Sequence, residues 1–188
     1  MDCIGHEWYV EKLKTKLTMI RFEHSLRVAE EARRLSARYH EDEEKAYLAG
    51  LLHDYARDFP QEALRAFLPS FVEREAYAIP AIWHALAAHL LLRRDLGVCD
   101  YRVLHAVCWH ATSCESMSLF DKIVFVADIA EEGRGFSQAI HIRRLAWDDL
   151  EKGYELALQV KMGYLLSTRR LIYPASIRAW NQIIGVKP

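Results

Sequence analysis

The sequence predicts a single all-α domain, and three observations carry that reading. Glycine and proline are scarce, 8 and 5 in 188 residues, and fall where helices should end. No stretch sustains the alternation of a half-buried strand, whereas apolar residues recur at helical spacing. With 52% apolar residues and no repeat, low-complexity segment or linker, the chain suits one sizeable core.

The first helix is expected over about Glu7 to Thr18. A second covers about Phe22 to His40, with Ile20, His24, Val28, Ala32 and Leu35 on one face. The acidic run Glu41-Asp42-Glu43-Glu44 suits a helix N-terminus through the macrodipole and opens a central helix running through His53 and Asp54 toward Arg57. Leu48, Leu51, Leu52 and Tyr55 give its packing face, while Ala46, Ala49 and Gly50 let another helix approach. Asp58 is expected to cap, and Pro60 to start, a short helix reaching about Leu68. A short element follows over Phe71 to Tyr77. Pro80 opens a longer helix ending near Gly97, a C′ glycine. Asp100 caps the helix holding Leu104, Val107, Cys108 and His110, and Ser118 precedes the run Leu119 to Ala130. Gly133 and Gly135 flank Arg134 in a loop. Gln138 to Arg170 reads as one broken or two consecutive helices, and Ala175 to Ile184 as the last. The core is expected over about residues 20–135, with C-terminal helices over about 137–185 packed on it.

The net charge of −1 advertises no nucleic acid or acidic membrane as partner. The longest apolar run, Ile79 to Leu92, is interrupted by His84 and His89 and is too short to span a bilayer. The N-terminus lacks the pattern of a signal peptide. Cys3, Cys99, Cys108 and Cys114 form no C-x-x-C, so reduced thiols in the cytoplasm are expected.

The chemistry lies in the histidines. His53 and Asp54 point about 100° apart on a helix but can converge on one ion at its C-terminal end. Taken alone, the pair reads more readily as a core imidazole bonded to its neighbouring carboxylate than as a metal site. However, His24, His84 and His110 also sit on apolar helix faces, and Asp128 ends the oily run Ile123 to Ala127. A carboxylate buried there needs a cation, a metal or a proton. Four imidazoles and two carboxylates can serve two first-row metal ions, with Asp54 as the bridge. Arg57, three residues beyond Asp54, is the first choice for a phosphate clamp, Arg134 the second and Lys122 the third. Ser25 and Thr112 adjoin ligands and can donate to phosphate or orient them. His89 and His105 lie five residues from His84 and His110 and face elsewhere. His6, His40 and His141 read as surface, and Trp83 and Trp109 as core.

The ordered set resembles the HD-domain superfamily of metal-dependent phosphohydrolases and, over nearly the full length, its YqeK-like family. The carrying segments are Arg21 to Val28, Ala49 to Arg57, His110-Ala111-Thr112, Met117 to Asp128, Glu131-Glu132-Gly133-Arg134 and Ile172-Tyr173-Pro174. The resemblance implies a helical bundle with the metal centre between helices, and symmetrical hydrolysis of diadenosine tetraphosphate to two ADP. It implies iron as the metal, with manganese and cobalt as alternatives. A metal-bound hydroxide would be the nucleophile, with Asp54 and His53 at the catalytic centre. His24, His53 and Asp128 would complete one metal site, and His84 and His110 the other. Departures from the family pattern occur at Glu132 and Gly135, and at Ala111, Ser113 and Cys114. The rival readings are another HD-type nucleotide phosphohydrolase or phosphodiesterase, a diiron oxygenase, and a non-catalytic nucleotide-binding module. The cyclic-dinucleotide version lacks a Gly-Tyr-Pro segment. The expected partner is a small nucleotide, and a homodimer is left open.

Overall fold

The computed structural model describes residues 5–185. Within them the chain forms α1 (His6–Lys14), α2 (Met19–Arg38), α3 (Glu43–Leu52), α4 (Gln61–Ala66) and α5 (Trp83–Leu96). These are followed by α6 (Tyr101–Trp109), α7 (Leu119–Ala130), α8 (Ser137–Asp148), α9 (Leu150–Ser167) and α10 (Pro174–Ile183). Short 3₁₀ turns cover Arg74–Ala78 and Pro80–Ile82, and no strand occurs among the described residues. The expected all-α class holds. Cys3 lies outside the described residues; Cys99, Cys108 and Cys114 are free thiols.

Several boundaries differ from expectation for identifiable reasons. Thr18 is the N-cap of α2, with extended backbone, and its N–H donates to Asp58 Oδ2 at 3.0 Å. The first helix therefore stops early and the second starts at Met19. Asp58 does not cap α4; its carboxylate is taken by Thr18 and by Arg21 Nε at 2.8 Å. Asp149, in extended conformation, ends α8 and caps α9 through Lys152 N–H, which resolves the Gln138–Arg170 stretch into two helices. The central helix stops at Leu52 rather than continuing to Arg57, and residues 53–58 form consecutive turns. Gly97 behaves as expected, closing α5 at φ 66°.

α7 runs through the centre, touching α2, α3, α6, α8 and α9. Surrounded by helices, it has no need of a polar stripe, so Phe120, Ile123, Val124, Phe125, Val126 and Ala127 are all fully buried. A capping box fixes its start: Ser118 Oγ accepts from Asp121 N–H, and Asp121 accepts from Ser118 N–H. α2 and α3 approach so closely at Gly50 that a Cβ there would lie 2.8 Å from Ala29 Cα. The small face of α3 thus brings His24 on α2 beside the residues that follow α3.

Candidate metal centre

Two helix ends aim two imidazoles in the same way. His53 immediately follows α3 and His110 immediately follows α6. Carbonyls in a helix's last turn lack partners along the helix. His53 Nδ1 donates to the Gly50 carbonyl at 2.7 Å, and His110 Nδ1 to the Val107 carbonyl at 2.7 Å. With the proton on Nδ1, each Nε2 keeps a bare lone pair, the form a metal requires. His53 Nε2 is buried and has no hydrogen-bond partner. An orphaned acceptor of that kind is costly in a protein interior unless an ion completes it.

The carboxylates complete the arrangement. Asp54 divides its oxygens: Oδ1 lies 3.2 Å from His84 Nε2 and 3.7 Å from His110 Nε2, while Oδ2 lies 3.7 Å from His53 Nε2. Asp128 Oδ1, in the last turn of α7, lies 3.1 Å from His24 Nε2 and 3.7 Å from His53 Nε2. His24, His53 and Asp128 form one group with donor atoms close enough for an ion; His53, Asp54 and His110 form a second. His84 joins the second group's edge, its Nε2 3.3 Å from His110 Nε2. The donors are imidazole nitrogen and carboxylate oxygen throughout, a set that fits first-row divalent metals.

Burial sets the protonation. It pushes the pKa of His53 and of His84 down to about 4, against the pull of neighbouring carboxylates, so both are neutral near pH 7. Burial opposes ionisation of Asp54 and Asp128 too, but the surrounding imidazoles hold both carboxyls well below the usual range. His24 also resists charging through burial, yet its hydrogen bonds to Asp128 and Glu131 raise its pKa.

Around this centre lies a cavity of about 720 Å³, within the range of nucleotide-sized sites. Arg57 and Arg134 both line it. Arg57 Nη1 donates to the Ala81 carbonyl at 3.0 Å and lies 2.8 Å from His84 Nδ1. The same Nη1 lies 3.2 Å from His84 Nε2, so the guanidinium sits against the edge of this ring. Arg134 Nη2 sits 3.2 Å from Asp128 Oδ1, a cation already beside the carboxylate. Thr112 lines the cavity with its Oγ1 buried and unpartnered. Two expectations do not hold. Lys122 is not at the site: its Nζ lies 2.7 Å from Glu151 Oε1 and 5.5 Å from the Tyr154 ring. Ser25, on α2, is fully buried and does not line the cavity.

Other groups at the site stand out less in the sequence. Glu131, 1% exposed, accepts from His24 Nδ1 at 3.2 Å and from Arg27 Nε at 2.7 Å. Arg21 Nη1 lies 3.9 Å from Asp54 Oδ2. Lys161, on α9, enters the cavity, donates to the His110 carbonyl at 3.1 Å and lies 4.9 Å from the Phe125 ring. A signal for Lys161 is present: Leu158, Lys161, Met162 and Leu165 follow one helical face. Glu131 and Arg21 carry no such periodicity.

Comparison with known proteins agrees with this geometry. The HD domain family matches residues 21–132. A symmetrical bis(5'-nucleosyl)-tetraphosphatase from Bacillus subtilis is 29% identical over 176 residues, 92% of this chain and 94% of the relative. Its counterpart from Halalkalibacterium halodurans is 30% identical over 177 residues, 93% of this chain and 95% of the relative. A crystal structure from Clostridium acetobutylicum, described as a predicted HD superfamily hydrolase involved in NAD metabolism, superposes with a TM-score of 0.92 at 31% identity. It covers 97% of this chain and 98% of its own. The family match over residues 21–132, together with these relatives, shows that the chain belongs to the HD-domain superfamily of phosphohydrolases, in the family of symmetrical bis(5'-nucleosyl)-tetraphosphatases.

Proposed function

We propose that this protein hydrolyses diadenosine tetraphosphate symmetrically to two ADP, with two first-row metal ions, iron by preference, held between its helices. The observation that carries the reading is the Asp54 carboxylate, whose two oxygens face separate imidazole groups at the floor of the cavity. His24, His53 and Asp128 would hold one ion, and His84 and His110 the other, with Asp54 between them. Bound there, such ions supply Lewis-acid charge and acidify water near neutral pH.

The chain's own groups account for binding and orientation. Tetraphosphate carries several negative charges, and Arg21, Arg57, Arg134 and Lys161 line the cavity with positive ones. Arg134 and Lys161 come from the loop after α7 and from α9, Arg21 and Arg57 from α2 and the turn after α3. Cations on separate elements can grip the phosphate chain on both sides of its central bridge, which places that bridge over the carboxylates. Water then bonds to one inner phosphorus, and the bridging oxygen departs with the other ADP. The free thiols Cys99, Cys108 and Cys114 support a cytoplasmic location.

Product analysis tests the reading. Metal-loaded protein incubated with diadenosine tetraphosphate should give ADP alone, and hydrolysis in heavy-oxygen water should label one of the two ADP molecules per event. Equal amounts of AMP and ATP would overturn the symmetrical cut. Elemental analysis showing no metal, with no activity regained on adding iron, manganese or cobalt, would overturn the two-ion centre.

A further inference from the structure

The cavity wall contributed by α9 and the segment after it has no part in the metal centre, and it lies outside residues 21–132, the span matched by the HD family. Leu158, Lys161, Met162 and Leu165 present one face of α9 to the cavity, and Tyr164 and Arg170 continue it. Among the described residues that line the cavity, only Tyr164 and Tyr173 carry aromatic rings other than imidazole. Tyr173 is committed to the fold. Its ring is 2% exposed, and its hydroxyl accepts from Glu73 N–H at 3.1 Å.

Tyr164 is different. It is 53% exposed, none of its side-chain atoms takes part in a hydrogen bond among the described residues, and the Arg170 guanidinium lies 5.7 Å from its ring centre. A large aromatic ring left open at the mouth of a polar cavity buries nothing for stability. With the guanidinium over one face of the phenol ring, the opposite face is a surface on which a nucleobase stacks, backed by the cation. Lys161 lies one turn away on the same helix, three residues before Tyr164, and reaches the centre through its bond to the His110 carbonyl. One element therefore offers a stacking surface at its outer end and a cation at its inner end, the order in which a nucleotide presents base and phosphate.

We propose that Tyr164 and Arg170 form the platform for one nucleobase of the substrate, and so are specificity-determining residues of this enzyme. The proposal rests on the nucleotide reading given above. Stacking tolerates any base, so the platform favours a nucleoside end over bare polyphosphate without choosing among bases.

The test separates base from phosphate. In the metal-loaded enzyme, Tyr164→Ala should raise KM for diadenosine tetraphosphate by about tenfold, the effect of losing one stacking contact, with the loss in KM rather than kcat. It should weaken competitive inhibition by ADP by a similar factor and leave inhibition by inorganic pyrophosphate within about twofold. Tyr164→Trp should restore ADP affinity. Because the side chain is half exposed, the substitution does not touch the core, and an unchanged melting temperature checks this. Equal weakening of ADP and pyrophosphate would overturn the platform, as would no weakening of either. If the unmodified enzyme cleaves no dinucleoside tetraphosphate while calorimetry still shows ADP binding that depends on Tyr164, the platform stands and the substrate reading falls.

Discussion

Glu131→Gln is the substitution that most directly probes how the centre is held. The Glu131 carboxylate is 1% exposed and accepts three hydrogen bonds, from His24 Nδ1, Arg27 Nε and Gly133 N–H. Glutamine preserves the shape but loses the charge and turns one acceptor into a donor, which must then face His24 Nδ1–H, Arg27 Nε–H or Gly133 N–H. A hydrogen bond involving a charged group contributes about 1.5–3 kcal/mol. The Arg27 share is discounted, since its side chain is 38% exposed and water replaces much of what is lost. The His24 share is retained, because that ring is largely buried and its Nε2 must stay aimed at the position proposed for an ion beside Asp128. Groups that orient a metal-bound imidazole are worth on the order of 10–100-fold in metal affinity. Chelator competition near neutral pH should therefore show a loss of that size at one ion of the pair, with the second ion nearly unaffected. Arg27→Gln should cost clearly less. A Glu131→Gln variant that binds both ions as tightly as its parent would refute the reasoning, because His24 would then be held by its helix alone.

Three further outcomes follow from the same geometry. Gly50→Ala should destabilise the protein by about 1–3 kcal/mol, because the new methyl meets the Ala29 and Val28 backbone at 2.8–2.9 Å; a melting temperature within error of the parent would contradict this. Metal-stripped protein should lose stability as pH falls from 6.5 toward 4, because unfolded His53 and His84 take up protons that the folded state refuses until about pH 4. Each contributes a slope of about 1.4 kcal/mol per pH unit, and a flat urea-denaturation profile between those limits would exclude buried neutral imidazoles. Lys161→Met should lower kcat/KM by on the order of tenfold or more, the size of one lost charged hydrogen bond, while leaving thermal stability equal or higher, since desolvation of this part-buried ammonium works against its charge. Unchanged kinetics would make Lys161 a structural tie to the His110 carbonyl.

The helices and the six polar residues at the centre were legible because burial makes them conspicuous. An Asp at the end of Ile-Val-Phe-Val-Ala, or a His after Leu-Leu, has no bland solution in a dry interior, and the sequence advertises the anomaly. What surrounds the centre was less legible, since it depends on which of several similar groups the fold turns inward. Lys122 and Lys161 are both lysines within apolar helices. The difference is that Glu151 stands opposite the first and the His110 carbonyl opposite the second, and neither partner is near in sequence. Asp58 sits where a helix cap belongs, yet Thr18, forty residues away, takes its carboxylate. His53 looks like the interior of a helix from its apolar neighbours. Only the fold shows that α3 has already ended, and that the freed Gly50 carbonyl sets the imidazole's tautomer.

That last detail explains why the His-Asp pair is adjacent in sequence. Inside a helix the two side chains would diverge by about 100°. Past the C-terminus the backbone enters tight turns, with Tyr55 N–H on the Leu52 carbonyl and Arg57 N–H on the Asp54 carbonyl. The pair is thereby held in the interior at the end of α3, Asp54 Oδ2 toward His53 and Oδ1 toward His84 and His110. α6 repeats the device for His110 with the Val107 carbonyl. Two helix termini with unpaired carbonyls are a natural place to lock neutral imidazoles, since the carbonyl accepts the Nδ1 proton and leaves Nε2 free. The reactive centre is therefore rigid because it is tied to backbone, whereas the α9 wall meets the cavity through side chains. Changes along α9 can alter what binds while the centre keeps its geometry.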